Sequence, residues 1–321
     1  MIGVYVHDRG RGHLHRVLPV IRSLHDRGED VTVLLTGAVD RSLLPPDTRV
    51  VHLPSNRPEG STLPARRAAV TWLERVRPSA CWVDSSPEMA LAVRMTGTPL
   101  VTTLAPGSRE DEPHRLGCRM AEGVLAPWPP GVHATTVERA GARVAEIGGL
   151  SRFERRPPER RPGPGPTVVH LNSSTTVGDH RFWRAVRRRV IRSGAADWIE
   201  IGGPDGAWHD DPWPALSSAD VLVTGAGQSS IADAACADVP LVVVPEWRPH
   251  GEHDATADAL EGIRGASVGR YGDGPSAVAA EVRLRLARAA DGETAGIRSS
   301  WRVDGASARA AEVLRGVAAA G

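Results

Sequence analysis

Residues 220–260 read DVLVTGAGQSSIADAACADVPLVVVPEWRPHGEHDATADAL, and the order of their parts decides the fold. Val221–Thr224 is a short apolar run suited to a buried strand, and Gly225, Ala226 and Gly227 make a turn in which backbone can approach a ligand closely. Gln228–Ala237 has the pattern of a helix, whose first N–H groups lack internal partners and favour an anion. A second apolar run, Pro240–Pro245, suits a parallel strand, and a loop carrying Glu246, Glu252, His253 and Asp254 follows it. In open α/β sheets such groups stand at the carboxyl ends of strands, where ligands bind.

The same beat runs outward in both directions. Apolar runs at 2–6, 31–35, 50–53, 80–83, 100–103, 123–126 and 143–147 alternate with helical patterns at 14–26, 65–76, 87–95 and 113–121. Residues 152–166, RFERRPPERRPGPGP, maintain neither periodicity nor a buried face and read as a linker. Strand and helix patterns then resume at 167–171, 180–192, 198–201, 266–268 and 276–289. The expected class is α/β, two Rossmann-like parallel-sheet domains facing each other across a cleft. The expected divisions are a first domain at 1–151, a linker at 152–166, a second domain at 167–300, and a C-terminal segment at 301–321 whose helix packs back across the junction.

With 39 Lys plus Arg against 38 Asp plus Glu, no overall field recruits nucleic acid or an anionic membrane. There is no lysine, which removes Schiff-base chemistry and the GxxxxGK type of phosphate loop. Cys81, Cys118 and Cys236 are too scattered for a zinc site or a disulfide framework and read as buried thiols. No apolar run approaches the roughly 20 residues of a membrane span, and the N-terminus lacks a signal pattern. A cytoplasmic protein is expected, with peripheral membrane contact left open.

The first strand leads into HDRGRGHLHR, residues 7–16. Gly10 and Gly12 permit close backbone approach, and His13 falls at a helix start, where the dipole favours the neutral imidazole that serves as a general base. Asp8 is a candidate to orient His13, while His15 reads as a packing residue. A plain tight turn is the competing account, since a GxGH after a strand is weak evidence alone.

Taken together, GRGHLHR with LPVIRSLHDRGEDVTVL, and VLVTGAGQSSIADAACADVPLVVVP with EHDATADAL, resemble the GT-B glycosyltransferases. The likeness is to the branch that includes the bacterial enzyme adding N-acetylglucosamine to lipid-linked muramyl peptide, and to the related UDP-sugar hydrolase of pseudaminic acid synthesis. It implies that His13 is the active-site histidine and that Gly12 lies near the donor phosphate. It implies that Gly225, Ala226, Gly227, Gln228 and Ser229 form the donor turn, Asp233 holds ribose hydroxyls, and Glu252 and His253 read sugar hydroxyls. The resembled group usually has an amide where this chain has His253. Its glycine-serine loop after the first strand of the second domain is here HLNSSTTVGDH, residues 170–180, in which Asn172, Ser173 and Ser174 can donate hydrogen bonds to a diphosphate, the competing account being an ordinary polar loop that caps a helix.

Asp84, in WVDSSPEMA, ends a strand and either contacts the acceptor or caps the next helix. Arg109 and His114 lie in PGSREDEPHR, a polar loop open to acceptor contact or to solvent. Arg16 is a candidate cation for diphosphate. Asp210 and Asp211 lack the placement of a metal pair, and neither a metal nor another cofactor is expected. The resemblance therefore implies transfer of a sugar from a nucleotide-diphosphate sugar, UDP-linked, to the hydroxyl of a small-molecule, glycan or lipid-linked acceptor. The alternatives are hydrolysis with water as acceptor and a non-catalytic partner that binds a sugar nucleotide. The composition suggests a GC-rich bacterial source.

Overall fold

The computed structural model describes residues 1–7, 11–37, 41–54, 63–109, 111–158, 165–172, 180–194, 196–203, 206 and 209–321. These fall into two compact units, Met1–Arg152 with Gly305–Gly321, and Phe153–Asp304.

The first unit runs β1 (Ile2–Val6), α1 (Arg11–His25), β2 (Val31–Leu35), β3 (Arg49–His52), α2 (Leu63–Val76), β4 (Ala80–Val83), α3 (Pro87–Met95), β5 (Leu100–Thr103), α4 (Glu112–Met120), β6 (Gly123–Ala126), α5 (Ala134–Arg139) and β7 (Val144–Glu146). Its strands form one sheet in the order β3-β2-β1-β4-β5-β6-β7, every pair parallel. Continuous apolar strands follow from cover on both faces. Ile2, Val4 and Val6 pack with Val17, Leu18 and Ile21 of α1, while Tyr5 faces the opposite side and packs with Leu73 of α2 and Val93 of α3.

The second unit runs β8 (Thr167–Leu171), α6 (His180–Arg192), β9 (Asp197–Ile201), α7 (Trp213–Ser218), β10 (Val221–Thr224), α8 (Gln228–Ala237), β11 (Leu241–Val243), α9 (Glu252–Leu260), β12 (Ala266–Val268), α10 (Gly274–Ala290) and α11 (Ile297–Ser300). Its sheet is also wholly parallel, in the order β12-β11-β10-β8-β9. Helix α6 buries Phe182, Trp183, Val186 and Val190 at helical spacing and turns its arginines outward. The chain ends in α12 (Ala306–Ala320), which belongs to the first unit and lays Ala306, Ala310, Ala311 and Leu314 into the core around α1.

The stretch expected to bury nothing has a buried residue at its second position. Phe153 is packed against Trp213, ring centroids 5.1 Å apart, and Arg156 bonds Asp211 through both Nη atoms at 3.1 and 2.9 Å. Asp211 also accepts the Trp213 N–H at 3.1 Å, so this carboxylate anchors the start of α7. The part of the expected linker at 159–164 lies outside the described residues.

Both sheets reverse their winding at one point. In the first, β1 and β4 are neighbours whose connections leave in opposite directions, and in the second β8 and β10 are. Doubly wound sheets open a crevice beyond the carboxyl ends of such a pair. The residues after β1, β4, β8 and β10 are therefore the places to look for chemistry.

Candidate functional site

In the first unit, the β1/β4 point brings two side chains of α1 onto a third from about 70 residues away in sequence. His13, in the first turn of α1, has Nδ1 2.7 Å from Asp84 Oδ2, and Arg16, one turn along, places Nη1 3.1 Å from Asp84 Oδ1. The same Nη1 is 3.4 Å from Ser85 Oγ. Asp84 has no exposed surface, whereas the His13 side chain retains 22%. Burial alone would raise the Asp84 carboxyl, but the Arg16 guanidinium and then His13 outweigh it and hold it well below the usual carboxylate range. An ionised carboxylate only accepts, so His13 Nδ1 donates to it, and in the neutral ring Nε2 keeps its lone pair.

Asp84 thus takes the orienting role that the sequence offered to Asp8, which lies outside the described residues. It does not cap α3, where Ser86 holds the N-cap position, and its two oxygens are bonded to His13 and Arg16. Arg16, expected to meet diphosphate, is itself buried on Asp84. Ser85 adopts the left-handed region at φ 56°, a conformation that costs a non-glycine residue energy and that clusters at functional turns. His15 is a buried packing residue whose Nε2 is 3.4 Å from Arg152.

Beside this cluster, Ser85, Ser86, Thr102, Arg109, His114 and Cys118 line a small cavity of about 30 Å³. Arg109 therefore opens onto the sheet end that carries Asp84. His114 is held by Asp111, which caps α4 through the His114 N–H at 3.2 Å and accepts from its Nδ1 at 2.6 Å. Gly12 lies in the first turn of α1.

In the second unit, Gly225 and Gly227 bracket buried Ala226 after β10, and Gly227 is the N-cap of α8, a residue with no side chain of its own to cap the helix. Neither glycine has a positive φ, so the turn does not require glycine for its backbone. A Cβ on Gly225 would sit 3.6 Å from His253 Cε1 and one on Gly227 3.7 Å from His253 Nε2, ordinary contact distances, so the glycines leave the His253 ring facing bare backbone but are not demanded by a clash. Glu252, His253 and Asp254, expected in a loop, form the first turn of α9, which follows a turn with His250 and Gly251 both at φ 63°.

His253 is buried, and burial, followed by the nearby Arg248 charge, lowers its pKa to about 4, so the ring is neutral near pH 7. Its Nδ1 accepts the Glu246 N–H at 3.3 Å, which leaves Nε2 as an N–H donor along the glycine turn. Gln228 Nε2 donates to Thr256 Oγ1 at 2.9 Å, and Thr256 passes its own proton to the Glu252 carbonyl at 2.9 Å. That relay fixes the amide orientation. Gln228 Oε1 is left as a buried acceptor without a protein partner.

Asp233 and Ser229 lie on α8, Asp233 buried. Asn172, buried after β8, fills the space over Gly203, where any Cβ would collide with the Asn172 amide and φ is +67°. Ser173 and Ser174 lie outside the described residues.

No protein-family model matches the chain, and no curated protein sequence does. Solved structures do. MurG of Acinetobacter baumannii superimposes with a TM-score of 0.68 at 16% identity, over 98% of this chain and 99% of that one. The fold is that of GT-B glycosyltransferases. The kitacinnamycin glycosyltransferase matches at 0.68 and 19% identity over 98% of each chain, and the glycosyltransferase VinC, solved with dTDP, at 0.65 and 15% over the whole of both. Within this GT-B fold the two switch points carry an imidazole–carboxylate pair in one unit and a glycine turn at a helix start in the other. Asp84 as the partner of His13 was missed by sequence reasoning, and the signal was available: in a sheet wound like this one, the strand beside β1 on the far side of the switch is β4.

Proposed function

We propose that the chain is a metal-independent glycosyltransferase that moves a sugar from a nucleotide-diphosphate sugar, UDP-linked, to an acceptor hydroxyl, with His13 as general base. The observation that carries this reading is the 2.7 Å contact between His13 Nδ1 and buried Asp84, which orients the imidazole and leaves Nε2 to take a proton. The acceptor hydroxyl gives its proton to Nε2 while its oxygen bonds to the anomeric carbon. The bond from that carbon to the diphosphate breaks, and the electron pair leaves with the diphosphate.

The donor belongs to the second unit. The leaving charge meets the positive end of the α8 dipole at Gly227, in a chain with no lysine to serve instead. Asn172, with Ser173 and Ser174, contacts the diphosphate, Asp233 the ribose, and Glu252 and His253 the sugar. VinC, which shares the fold, was solved with a nucleoside diphosphate. The acceptor belongs to the first unit near Arg109. Among the described residues no helix is long and apolar enough to cross a membrane, in keeping with a cytoplasmic bacterial enzyme.

The test is a thermal-shift series with UDP, dTDP and their sugars, followed by product analysis. UDP raises the melting temperature, because a ligand that binds only the native state stabilises it. The products with and without added acceptors then separate transfer from hydrolysis. Absence of any shift at millimolar nucleotide overturns the donor site, and turnover that survives His13→Ala overturns the base.

A further inference from the structure

We infer that Arg16 is a positioning residue for the proposed reaction: its buried guanidinium balances the Asp84 charge, so that His13 stays an uncharged base beside an ionised partner. The inference rests on the glycosyl-transfer reading and adds a residue to it. Sequence alone offered Arg16 to the donor diphosphate. Its position, buried at 6% exposure with Nη1 shared between Asp84 and Ser85, withdraws it from that use.

The physical problem is the carboxylate. Asp84 has no exposed surface, and a lone charge there is strongly unfavourable without a partner of opposite sign. Three groups can supply positive charge to it, Arg16 and His13 in direct contact and, further off, His7, the two imidazoles only when protonated. If Arg16 were absent, a proton from solvent would complete the pair at His13, and an imidazolium cannot accept the acceptor's proton. With Arg16 present, neutralisation is already done. The ring then holds a single proton on Nδ1, shared with Asp84, and Nε2 stays bare. Among the described residues, the titratable or charged groups in contact with His13 are Asp84 from the end of β4 and His7 from the end of β1, whose ring centroid is 3.9 Å away. Arg16 acts on His13 through Asp84.

The experiment reads the His13 imidazole directly by heteronuclear NMR of the full chain at neutral pH, with the signal assigned by its loss in His13→Gln. The wild-type ring is expected to be protonated at Nδ1 only. Arg16→Met is expected to show a doubly protonated ring, and Arg16→Lys, which keeps the charge, a neutral one. Arg16→Gln separates charge from geometry, since it retains a donor toward Asp84 and Ser85 but no charge, and it is expected to behave as the methionine variant does. A neutral His13 in the glutamine or methionine variant overturns the inference.

Release of UDP from a UDP-sugar supplies the second reading. Arg16→Met is expected to lose about a hundredfold in kcat with donor KM unchanged. Arg16→Met combined with Asp84→Asn is expected to lose no more than Asp84→Asn alone, because the arginine works through that carboxylate. Losses that multiply overturn it. A wild-type chain that releases no UDP counts against the proposed reaction, whereas the NMR state of His13 still decides the role of Arg16.

Discussion

The two switch points are built from opposite materials. At β1/β4 a carboxylate and a guanidinium are buried 3.1 Å apart with an imidazole alongside. At β8/β10 the groups ranged along the glycine turn are a neutral imidazole, an amide and the start of a helix, and the carboxylate beside them, Glu246, is neutralised by Arg248 at 2.9 Å while the imidazole stays a neutral donor. The difference follows from what each place handles. Moving a proton requires a group whose charge is controlled, and burying opposite charges together is the means of control. Holding a diphosphate requires many fixed dipoles and no charge that would need rearranging, which helix amides supply.

That contrast breaks most readily at His13. Replacing it with alanine should lower turnover by about a thousandfold while leaving the UDP-induced melting shift intact, as seen by steady-state kinetics beside thermal shift. Loss of the shift in this variant would mean that the two points do not divide chemistry from binding.

Acid should separate the two units next. Burial holds His170 at about 3 and His133 and His253 at about 4, against 6.5 for a free ring. Above 6.5 these groups are neutral whether folded or not and contribute nothing to the pH dependence. As pH falls below that value the unfolded chain takes up protons that the folded chain refuses, so stability declines until the folded values are reached. Asp84 has the lowered pKa of a paired carboxylate, so its contribution is present above the unfolded carboxyl value of about 3.9 and is lost only below it. Each pKa unit is worth about 1.4 kcal/mol, so at about pH 5 each such histidine costs about 2 kcal/mol, and the second unit, with two against one, should lose about 2 kcal/mol more. Denaturant melts at neutral pH and at about pH 5 would show it, and His170→Phe should reduce the loss.

A subtler break is Gly227→Asp. An aspartate at this N-cap closes the helix start with its own carboxylate, adding a few tenths of a kcal/mol to stability. It should also weaken UDP by about tenfold or more, through occupancy of the same N–H groups and like charge. A protein that melts higher yet binds less is the expected pair of readings. The smallest effect belongs to His253→Gln, which replaces a lone donor by an amide that both donates and accepts. Its expected result is a change of about tenfold or less in preference among UDP-sugars, with UDP itself bound as before.

Much of the fold was legible because both sheets are covered on two faces. Runs such as IGVYV at 2–6 and VLVT at 221–224 could be little else than buried parallel strands, and they are β1 and β10. Helix α9 was not legible because its buried stripe is His253, Thr256, Ala257 and Leu260, the spacing of an amphipathic helix written half in polar letters. Helix α7 hid for a similar reason, its start being organised by Asp211 and by a proline at its N-cap rather than by periodicity. Of the site, His13 and the glycine turn could be read from local pattern. The meeting of Asp84 and Arg16 is not written in local pattern: it follows from strand order, which places β4 beside β1 and has to be inferred from the winding of the whole sheet.

The return of α12 to the first unit has a consequence for how the chain is made. Ala306, Ala310, Ala311 and Leu314 complete the core beside α1, and they are synthesised after the whole second unit. During translation the N-terminal sheet must therefore wait on the ribosome with that hydrophobic face uncovered, open to chaperones, until the final helix emerges. A gene cut after Arg152 should yield an aggregation-prone product, whereas one that rejoins residues 305–321 through a short tether should yield a soluble one.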